Sequence, residues 1–270
     1  MSNTAAKGIA DHRPLADRHA IVTGGSRGIG LAIAETLARL GANVTIMGRS
    51  QSTLNERAAE LSERLGAKVR GERLDVTDPE LIAAAFRSAG ERFGAPAILV
   101  NNAGIARAAP FAKTDLTLWQ DVLSTDLTGA FLCIRQVVKG MTDGGFGRVV
   151  NVASTAGLSG YPYIAAYCAA KHGLIGLTRA LAQEFAKTPI TVNAVCPGYT
   201  NTDIVGDALD NIAAKTGRDR TAALADLVSH NPQGRLIEPF EVAEAVAWLC
   251  LPASASVTGQ SILVAGGELM

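Results

Sequence analysis

The stretch Thr23-Gly24-Gly25-Ser26-Arg27-Gly28-Ile29-Gly30 decides the fold of this chain. It follows an apolar run at residues 19–23, and a helical pattern follows it at residues 29–40. A strand, a glycine-rich turn and a helix in this order are typical of a dinucleotide-binding unit, because glycines let the backbone approach a pyrophosphate closely. The N-terminus of the helix would supply free N–H groups and the positive end of its dipole. The candidate contacts in this turn are Gly24, Ser26, Arg27, Gly28, Ile29 and Gly30.

Strand-like and helical patterns alternate along the rest of the chain. This alternation favours an α/β fold, a parallel sheet covered by helices on both faces. No fixed-period repeat or low-complexity linker interrupts it, so residues 18–270 are predicted to form one domain. Residues 1–17 have little periodicity and are predicted to be a flexible N-terminal arm. The further strand-like runs are residues 43–47, 68–74, 97–101, 148–153, 191–196 and 261–264.

Composition narrows the class of protein. The 270 residues are 48% hydrophobic, which is ample for a buried core, and 25 basic residues balance 25 acidic ones. With no net charge, neither a nucleic acid nor an anionic membrane is a predicted partner. No leader-like or membrane-spanning apolar stretch is visible, so a cytoplasmic protein is expected. The four cysteines lack paired spacing, so we expect neither a disulfide framework nor a metal site.

The second predicted strand ends in Ile46-Met47-Gly48-Arg49-Ser50, where a dinucleotide fold contacts the adenosine ribose. An NAD site usually places a carboxylate there, and this segment has none. The Arg49 guanidinium can instead pair with a 2′-phosphate, with the Ser50 hydroxyl and the charge of Arg27 nearby. These residues predict NADP rather than NAD, although both arginines could also be solvated surface charges.

A second group of polar residues comprises Ser154, Tyr167 and Lys171. In a helix, the i,i+4 spacing places Tyr167 and Lys171 on one face, so the ammonium can lie near the phenol. A nearby cation lowers the phenol pKa from its usual value of about 10. Ser154 would supply a hydroxyl donor to the same oxygen. Taken alone, the Tyr-Lys pair could equally be a half-exposed surface pair.

Five motifs occur in one order: the glycine turn, Asn101-Asn102-Ala103-Gly104, Ser154, Tyr167-x-x-x-Lys171 and Pro197-Gly198. Together they resemble the short-chain dehydrogenase/reductase family from about residue 18 to the C-terminus. The resemblance implies a single-domain, Rossmann-like doubly wound fold with a seven-stranded parallel sheet, assembled as a homotetramer or homodimer. It also implies hydride transfer between the nicotinamide ring of the cofactor and a small-molecule carbonyl or secondary alcohol.

The resemblance implies residue roles as well. Tyr167 would donate a proton to the nascent alkoxide, Ser154 would polarise the carbonyl, and Lys171 would hold the ribose and lower the pKa of Tyr167. Asp75 and Val76 would flank the adenine, although Asp75 could simply form a strand-end turn. Thr202 would contact the nicotinamide carboxamide. The other nucleotide contacts would be Asn102, Ala103, Gly104, Tyr167, Lys171, Pro197, Gly198 and Thr200.

One position departs from the family pattern. The family commonly carries Asn in an Asn-Leu-x-Gly segment, where it helps to support a water linked to the catalytic lysine. This chain reads Asp126-Leu127-Thr128-Gly129 instead. A carboxylate near Lys171 would strengthen that cation and oppose phenolate formation. Asp126 is therefore a candidate for an altered proton relay, unless the backbone carbonyl makes the key contact and the substitution is merely tolerated.

Substrate choice is expected to depend on residues 155–163 and on residues 201–235, which are predicted to form a helical lid or else a solvated loop. Tyr161, Tyr163 and Tyr199 could line the pocket or could be packing anchors. The C-terminal segments Gly259-Gln260-Ser261 and Val264-Ala265-Gly266-Gly267 resemble those of reductases that act on 3-oxoacyl thioesters. We therefore expect a reductase of 3-oxoacyl thioesters or related ketones. The alternatives are a broad secondary-alcohol or sugar-alcohol dehydrogenase and a non-catalytic NADPH-binding sensor.

Overall fold

A computed structural model describes residues 13–203, 205–206, 210, 219–229 and 231–269. Within this part of the chain, the strands form one parallel sheet of seven. They are β1 (His19–Thr23), β2 (Asn43–Gly48), β3 (Val69–Arg73), β4 (Ile98–Asn101), β5 (Gly147–Val152), β6 (Ile190–Pro197) and β7 (Ser261–Val264). Their order in the sheet is β3-β2-β1-β4-β5-β6-β7.

Helices cover both faces of this sheet. They are α1 (Gly28–Arg39), α2 (Gln51–Leu65), α3 (Pro79–Phe93), α4 (Leu116–Leu123), α5 (Gly129–Asp143), α6 (Ala165–Glu184), α7 (Arg220–Ser229) and α8 (Pro239–Cys250). Successive strand residues point to opposite faces. Ala20 and Val22 therefore pack with α1, α2 and α8, whereas Ile21 packs with α3, α5 and α6. The predicted doubly wound α/β fold is confirmed.

The functional crevice follows from the strand order. β1 lies between β2 and β4, with Val22 in register with Ile46 on one side and Val100 on the other. The chain therefore leaves β1 for β2 on one side and later returns to β4 on the other. In doubly wound sheets, ligands bind outside the carboxyl ends of the strands at such a switch point. The glycine turn after β1 and residues 102–104 after β4 meet there.

The packed part of the chain begins before residue 18. Leu15 is fully buried in the core, and its N–H donates to the Leu40 carbonyl at 3.0 Å. The prediction of a flexible arm over residues 1–17 is therefore wrong for residues 13–17. Leu15 is the one large apolar residue in this short segment, so no periodic pattern indicated its burial. Residues 1–12 lie outside the described residues.

Two further features concern the helices and the cysteines. Among the described residues, no helix is both long enough and apolar enough to cross a membrane. All four cysteines are free thiols; Cys133, Cys196 and Cys250 are buried and Cys168 is half-buried.

A buried histidine connects β1 and β2 to the end of α3. The His19 side chain donates from Nδ1 to the Gly94 carbonyl at 2.7 Å, and its Nε2 accepts from the Thr45 hydroxyl at 2.9 Å. Burial lowers the pKa of His19; the bond to Gly94 opposes this shift and the charge of Arg70 adds to it. The folded state therefore holds the neutral ring.

We expect His19 to make the fold sensitive to acid. Because its pKa is lower in the folded than in the unfolded chain, its contribution is complete above the unfolded value of about 6.5 and is lost as the pH falls through the folded value. Urea unfolding of the wild type between pH 8 and pH 5 should show a steeper loss of stability than that of His19→Asn. His172→Asn, at an exposed histidine of α6, should keep the wild-type slope. Equal slopes for the wild type and His19→Asn would contradict the assignment.

Candidate active site

The glycine turn is built for a close backbone approach. Gly24 and Gly28 have φ values of 64° and 53°, in the left-handed region that favours glycine. A Cβ atom at Gly30 would lie 2.2 Å from the Gly24 carbonyl oxygen, so no larger residue fits there. No side chain caps the N-terminus of α1. Its first N–H groups therefore remain available to an anion.

A threonine joins this turn to the end of β4. The Thr23 hydroxyl accepts the N–H groups of Asn102 and Ala103 at 3.0 and 3.1 Å. In return, the Asn102 amide donates to the Thr23 and Gly24 carbonyls at 3.0 and 3.1 Å. The two halves of the crevice are thus held together by reciprocal bonds. Sequence reasoning assigned no such role to Thr23, although its place at the strand end before the glycines was a usable signal.

The predicted ribose-binding residues lie at the end of β2. Arg49 is exposed, and its charge is close enough to Asp75 to help lower that carboxyl's pKa, after the stronger effect of the hydrogen bonds from Thr77. The Ser50 oxygen caps α2 by accepting the Thr53 N–H. Arg27 forms an exposed ion pair with Asp203 at 3.2 Å. Arg49 and Ser50 thus lie at the end of β2, whereas the charge of Arg27 is paired with a carboxylate after β6. Their contacts to a nucleotide stay predictions.

The segment after β6 approaches the glycine turn. A Cβ atom at Gly28 would lie 3.2 Å from the Thr202 methyl group, which places Thr202 at the crevice. The Thr200 hydroxyl donates to the Gly198 carbonyl at 3.0 Å, and Thr200 is only 3% exposed. Thr200 therefore shapes the turn, and its hydroxyl could contact a cofactor only as a hydrogen-bond acceptor.

The three predicted catalytic residues come together. Tyr167 and Lys171 share one face of α6, with the Lys171 Nζ 5.4 Å from the centre of the Tyr167 ring. Ser154 directly follows β5 and Ala153, and its hydroxyl accepts the Ala156 N–H at 3.1 Å. The same hydroxyl faces the Tyr167 phenol and lowers its pKa. This geometry can polarise a carbonyl oxygen and protonate it.

The pKa of Tyr167 shifts in the opposite direction to that predicted from Lys171 alone. Burial raises it, the ammonium of Lys171 lowers it, the Asp126 carboxylate raises it again, and the Ser154 hydroxyl opposes the rise. The net shift is upward. The sequence showed the cation but not the loss of hydration around the phenol, which disfavours phenolate. A raised pKa keeps the phenol protonated, as a proton donor requires.

Asp126 contacts Lys171 directly. It lies in a π turn at Ser124–Thr128, between α4 and α5. Its Oδ2 is 3.3 Å from the Lys171 Nζ, and the two side chains are 0% and 5% exposed. Oδ1 accepts the Ile105 N–H at 2.8 Å. The structure therefore shows the predicted proximity of this carboxylate to Lys171.

The ion pair also determines the charge state of its members. Burial raises the pKa of Asp126, and Lys171 opposes this rise. Burial lowers the pKa of Lys171, but the nearby Asp126 and Tyr167 outweigh it and the net shift is upward. The Lys171 ammonium also donates to the Val152 carbonyl at 3.1 Å. We conclude that Lys171 remains a cation.

A polar chain inside the sheet supports this group. Asn101 donates to the Asn151 side-chain oxygen at 2.8 Å, Asn151 donates to the Thr178 hydroxyl at 2.9 Å, and Thr178 donates to the Leu174 carbonyl at 2.8 Å. The bonds connect β4, β5 and α6, the elements that carry the site. Sequence reasoning missed Asn151 and Thr178, although an asparagine within an apolar strand was a usable signal.

The predicted substrate region is only partly described. Tyr161 donates a hydrogen bond to Glu268, Tyr199 is half-buried and Tyr163 is 65% exposed. The predicted lid contains α7, whereas residues 204, 207–209, 211–218 and 230 lie outside the described residues. Over the described ranges, no three His, Cys, Asp or Glu side chains could hold a metal ion together.

Comparison with known proteins identifies the family. A family model described as "Enoyl-(Acyl carrier protein) reductase" matches residues 24–268. The chain belongs to the short-chain dehydrogenase/reductase family. It is therefore an oxidoreductase, and the predictions of family and reaction class are confirmed.

Three relatives within this family are similar over almost their whole length. A putative ketoacyl reductase of Streptomyces coelicolor is 40% identical over 92% of this chain and 95% of its own. A 3-oxoacyl-[acyl-carrier-protein] reductase of Vibrio cholerae is 41% identical over 93% of this chain and 97% of its own. A solved structure of an actinorhodin polyketide ketoreductase variant with NADPH has a TM-score of 0.89 at 40% identity, and covers 93% of this chain and 97% of that one.

The carboxylate of Asp126 generates a pH prediction. In an Asp126→Asn variant, Lys171 keeps its proton through its bond to the Val152 carbonyl and its proximity to Tyr167. Since the Asp126 charge raises the pKa of Tyr167, the substitution should then lower it. Carbonyl reduction needs the protonated phenol, so the loss of rate at high pH should begin at a lower pH in the variant than in the wild type. The measurement is kcat/KM for reduction across pH 6 to 11.

Asp121→Asn is the matched control, because Asp121 is an exposed aspartate on α4 and should leave the profile unchanged. Thermal melts of both variants check that they are folded. If the Asp126→Asn and wild-type profiles coincide, the carboxylate has no special role in the relay.

Proposed function

We propose that this enzyme is an NADPH-dependent ketoreductase that reduces a 3-oxoacyl thioester, or a related ketone, to the secondary alcohol. One observation carries the proposal. Tyr167 lies beside both Ser154 and the Lys171 ammonium, next to the crevice at the carboxyl ends of β1 and β4. The names of the ketoacyl reductases among the relatives support the choice of substrate class.

The residues around the crevice fit NADP(H). The N-terminus of α1 has no side-chain cap, and Gly30 lets the Gly24 backbone pack tightly against it, so the turn offers backbone N–H groups to a pyrophosphate. At the end of β2, the exposed Arg49 offers a guanidinium for a 2′-phosphate. An NAD site would carry a carboxylate at the end of β2, but Gly48, Arg49 and Ser50 supply none. When bound, the cofactor supplies the hydride.

The protein's own groups handle the proton. Ser154 donates a hydrogen bond to the carbonyl oxygen and so favours negative charge on it. Tyr167 gives its proton to that oxygen as the carbonyl carbon becomes a carbinol carbon. The ammonium of Lys171 stabilises the phenolate that remains, and Asp126 and Val152 hold that ammonium in place. The phenol then regains a proton before the next turnover.

We expect Tyr167→Phe to lose most of its activity. General acid catalysis contributes roughly 10²–10⁴-fold to the rate, so kcat for a 3-oxoacyl thioester should decrease by a factor in that range. The dissociation constant for NADPH should stay near the wild-type value. Asp121→Asn, at an exposed aspartate of α4, should retain wild-type kcat. Retained turnover in Tyr167→Phe would contradict the mechanism. A wild type that reduces simple ketones but no thioester would contradict the substrate class alone.

We also propose that the enzyme works in the cytoplasm as a homotetramer or homodimer. The family resemblance supports this, and so do the large apolar side chains that the single chain leaves exposed: Phe131 on α5 and Phe240 and Trp248 on α8 are 42%, 60% and 45% exposed. Light scattering coupled to size exclusion should give two or four times the 28.0 kDa chain mass. A monomer at micromolar concentration would contradict the proposed assembly.

A further inference from the structure

The proposed proton donor, Tyr167, lies in a helical turn that no side chain caps. It is the third residue of α6, and the residue before this helix, Ile164, makes no side-chain capping bond. The Cys168 N–H donates to the Ile164 carbonyl at 2.9 Å and makes the first bond of the helix. Uncapped helix ends fray readily, because their first N–H groups have no partner within the helix. The position of Tyr167 therefore depends on the loop that leads into α6.

This loop is held in its shape by other parts of the chain. Tyr163 has a φ of 68°, in the left-handed region that a bulky residue rarely adopts. Such a conformation persists only where the surrounding structure holds it. Two hydrogen bonds connect residues 160–163 with distant parts of the described chain. The Ala109 N–H donates to the Tyr163 carbonyl at 2.8 Å, and the Tyr161 hydroxyl donates to Oε1 of Glu268.

The turn that carries Glu268 is itself packed in place. Glu268 follows Gly266 and Gly267, which have φ values of 59° and 92°, in conformations that favour glycine. A Cβ atom at Gly266 would lie 2.1 Å from the Asn231 side-chain oxygen, so the asparagine packs directly against this turn. Asn231 is 7% exposed. The backbone thus sets the direction in which the Glu268 side chain leaves the turn.

The second oxygen of Glu268 is confined as well. Oε2 is buried and has no hydrogen-bond partner among the described residues. A Cβ atom at Gly198 would lie 2.8 Å from it, and the Gly198 N–H donates to the Val264 carbonyl of β7 at 3.1 Å. The carboxylate therefore lies against a fixed backbone on one side and accepts the Tyr161 hydroxyl on the other. It connects the turn after β7 with the loop before α6.

We infer that Glu268 is a positioning residue, which holds the loop before α6 through Tyr161 and thereby holds the first turn of α6 with Tyr167. This inference rests on the proposed role of Tyr167 as the proton donor. A proton donor must lie within hydrogen-bond distance of the carbonyl oxygen. A loosened first turn would place the phenol there for a smaller fraction of the time. Glu268 acts without touching the substrate, in agreement with the burial of its Oε2.

Two single variants remove the bond from opposite sides. Since a misplacement of about 1 Å can cost 10²-fold in rate, Glu268→Leu and Tyr161→Phe should each lower kcat for a 3-oxoacyl thioester roughly 10-fold. The dissociation constant for NADPH should stay near the wild-type value. Glu268→Gln keeps an acceptor oxygen for Tyr161 and should retain more of kcat than Glu268→Leu. The double variant should lose no more than the weaker of the two single variants, because both changes break one bond.

Amide hydrogen exchange tests the positioning without relying on turnover. In Glu268→Leu and in Tyr161→Phe, the Cys168 amide should exchange faster than in the wild type, because it makes the first bond of α6. The amides of β5 should keep their wild-type exchange rates. A purely structural role for Glu268 would instead speed exchange throughout the sheet and lower the melting temperature.

Glu91→Leu is the matched control, since Glu91 is an exposed glutamate on α3 and should keep the wild-type kcat and exchange rates. If Glu268→Leu does not fold, Tyr161→Phe tests the same bond with the carboxylate in place. Unchanged kcat or unchanged exchange at Cys168 in a folded variant that lacks the bond overturns the inference and leaves the proposed function standing. A wild type that reduces no ketone or thioester with NADPH overturns the proposed function, and the inference with it.

Discussion

The ammonium of Lys171 is a full charge in a place almost without water, and the site is arranged around it. A lone buried cation would lose its proton, because desolvation favours the neutral amine. Asp126 at 3.3 Å and the Val152 carbonyl at 3.1 Å prevent this. The charge can therefore act on the phenol of Tyr167 without an intervening solvent layer. The Asp126 carboxylate moderates this effect, and the net shift in the pKa of the phenol is upward.

Several elements must be in register for this arrangement to exist. Val152 ends β5, Lys171 lies on α6, and Asp126 comes from the π turn between α4 and α5. The bonds from Asn101 through Asn151 to Thr178 connect β4, β5 and α6 below the site. Buried polar networks of this kind are costly if one member is left without a partner, which favours a single arrangement of these elements. The sheet thus holds α6, and with it Tyr167 and Lys171, in a fixed position.

Much of the fold could be predicted from local patterns. The seven strand-like runs correspond to β1–β7 with boundaries shifted by one residue at most, because apolar runs between turn residues are a local signal. The proximity of Tyr167 and Lys171 was predictable, since their i,i+4 spacing is kept in α6. Burial was not predictable in this way. Leu15 looked like part of an arm, and the upward shift in the pKa of Tyr167 depends on neighbours distant in sequence. The carboxylate of Glu268 meets Tyr161 across 107 positions of the chain, a contact that no local spacing reveals.

The π turn at Ser124–Thr128 places a constraint on the length of the chain. A π turn contains one residue more than the α-helical turn it replaces. Deleting that residue would restore a regular helix, but it would also rotate α5 by about 100° relative to α4, since an α-helix has 3.6 residues per turn. The apolar side chains of α5, including Cys133, Val137 and Met141, would then turn away from the sheet. The extra residue therefore allows Asp126 to face Lys171 while the apolar side of α5 faces the core. An insertion or deletion in this turn would be tolerated less well than a substitution.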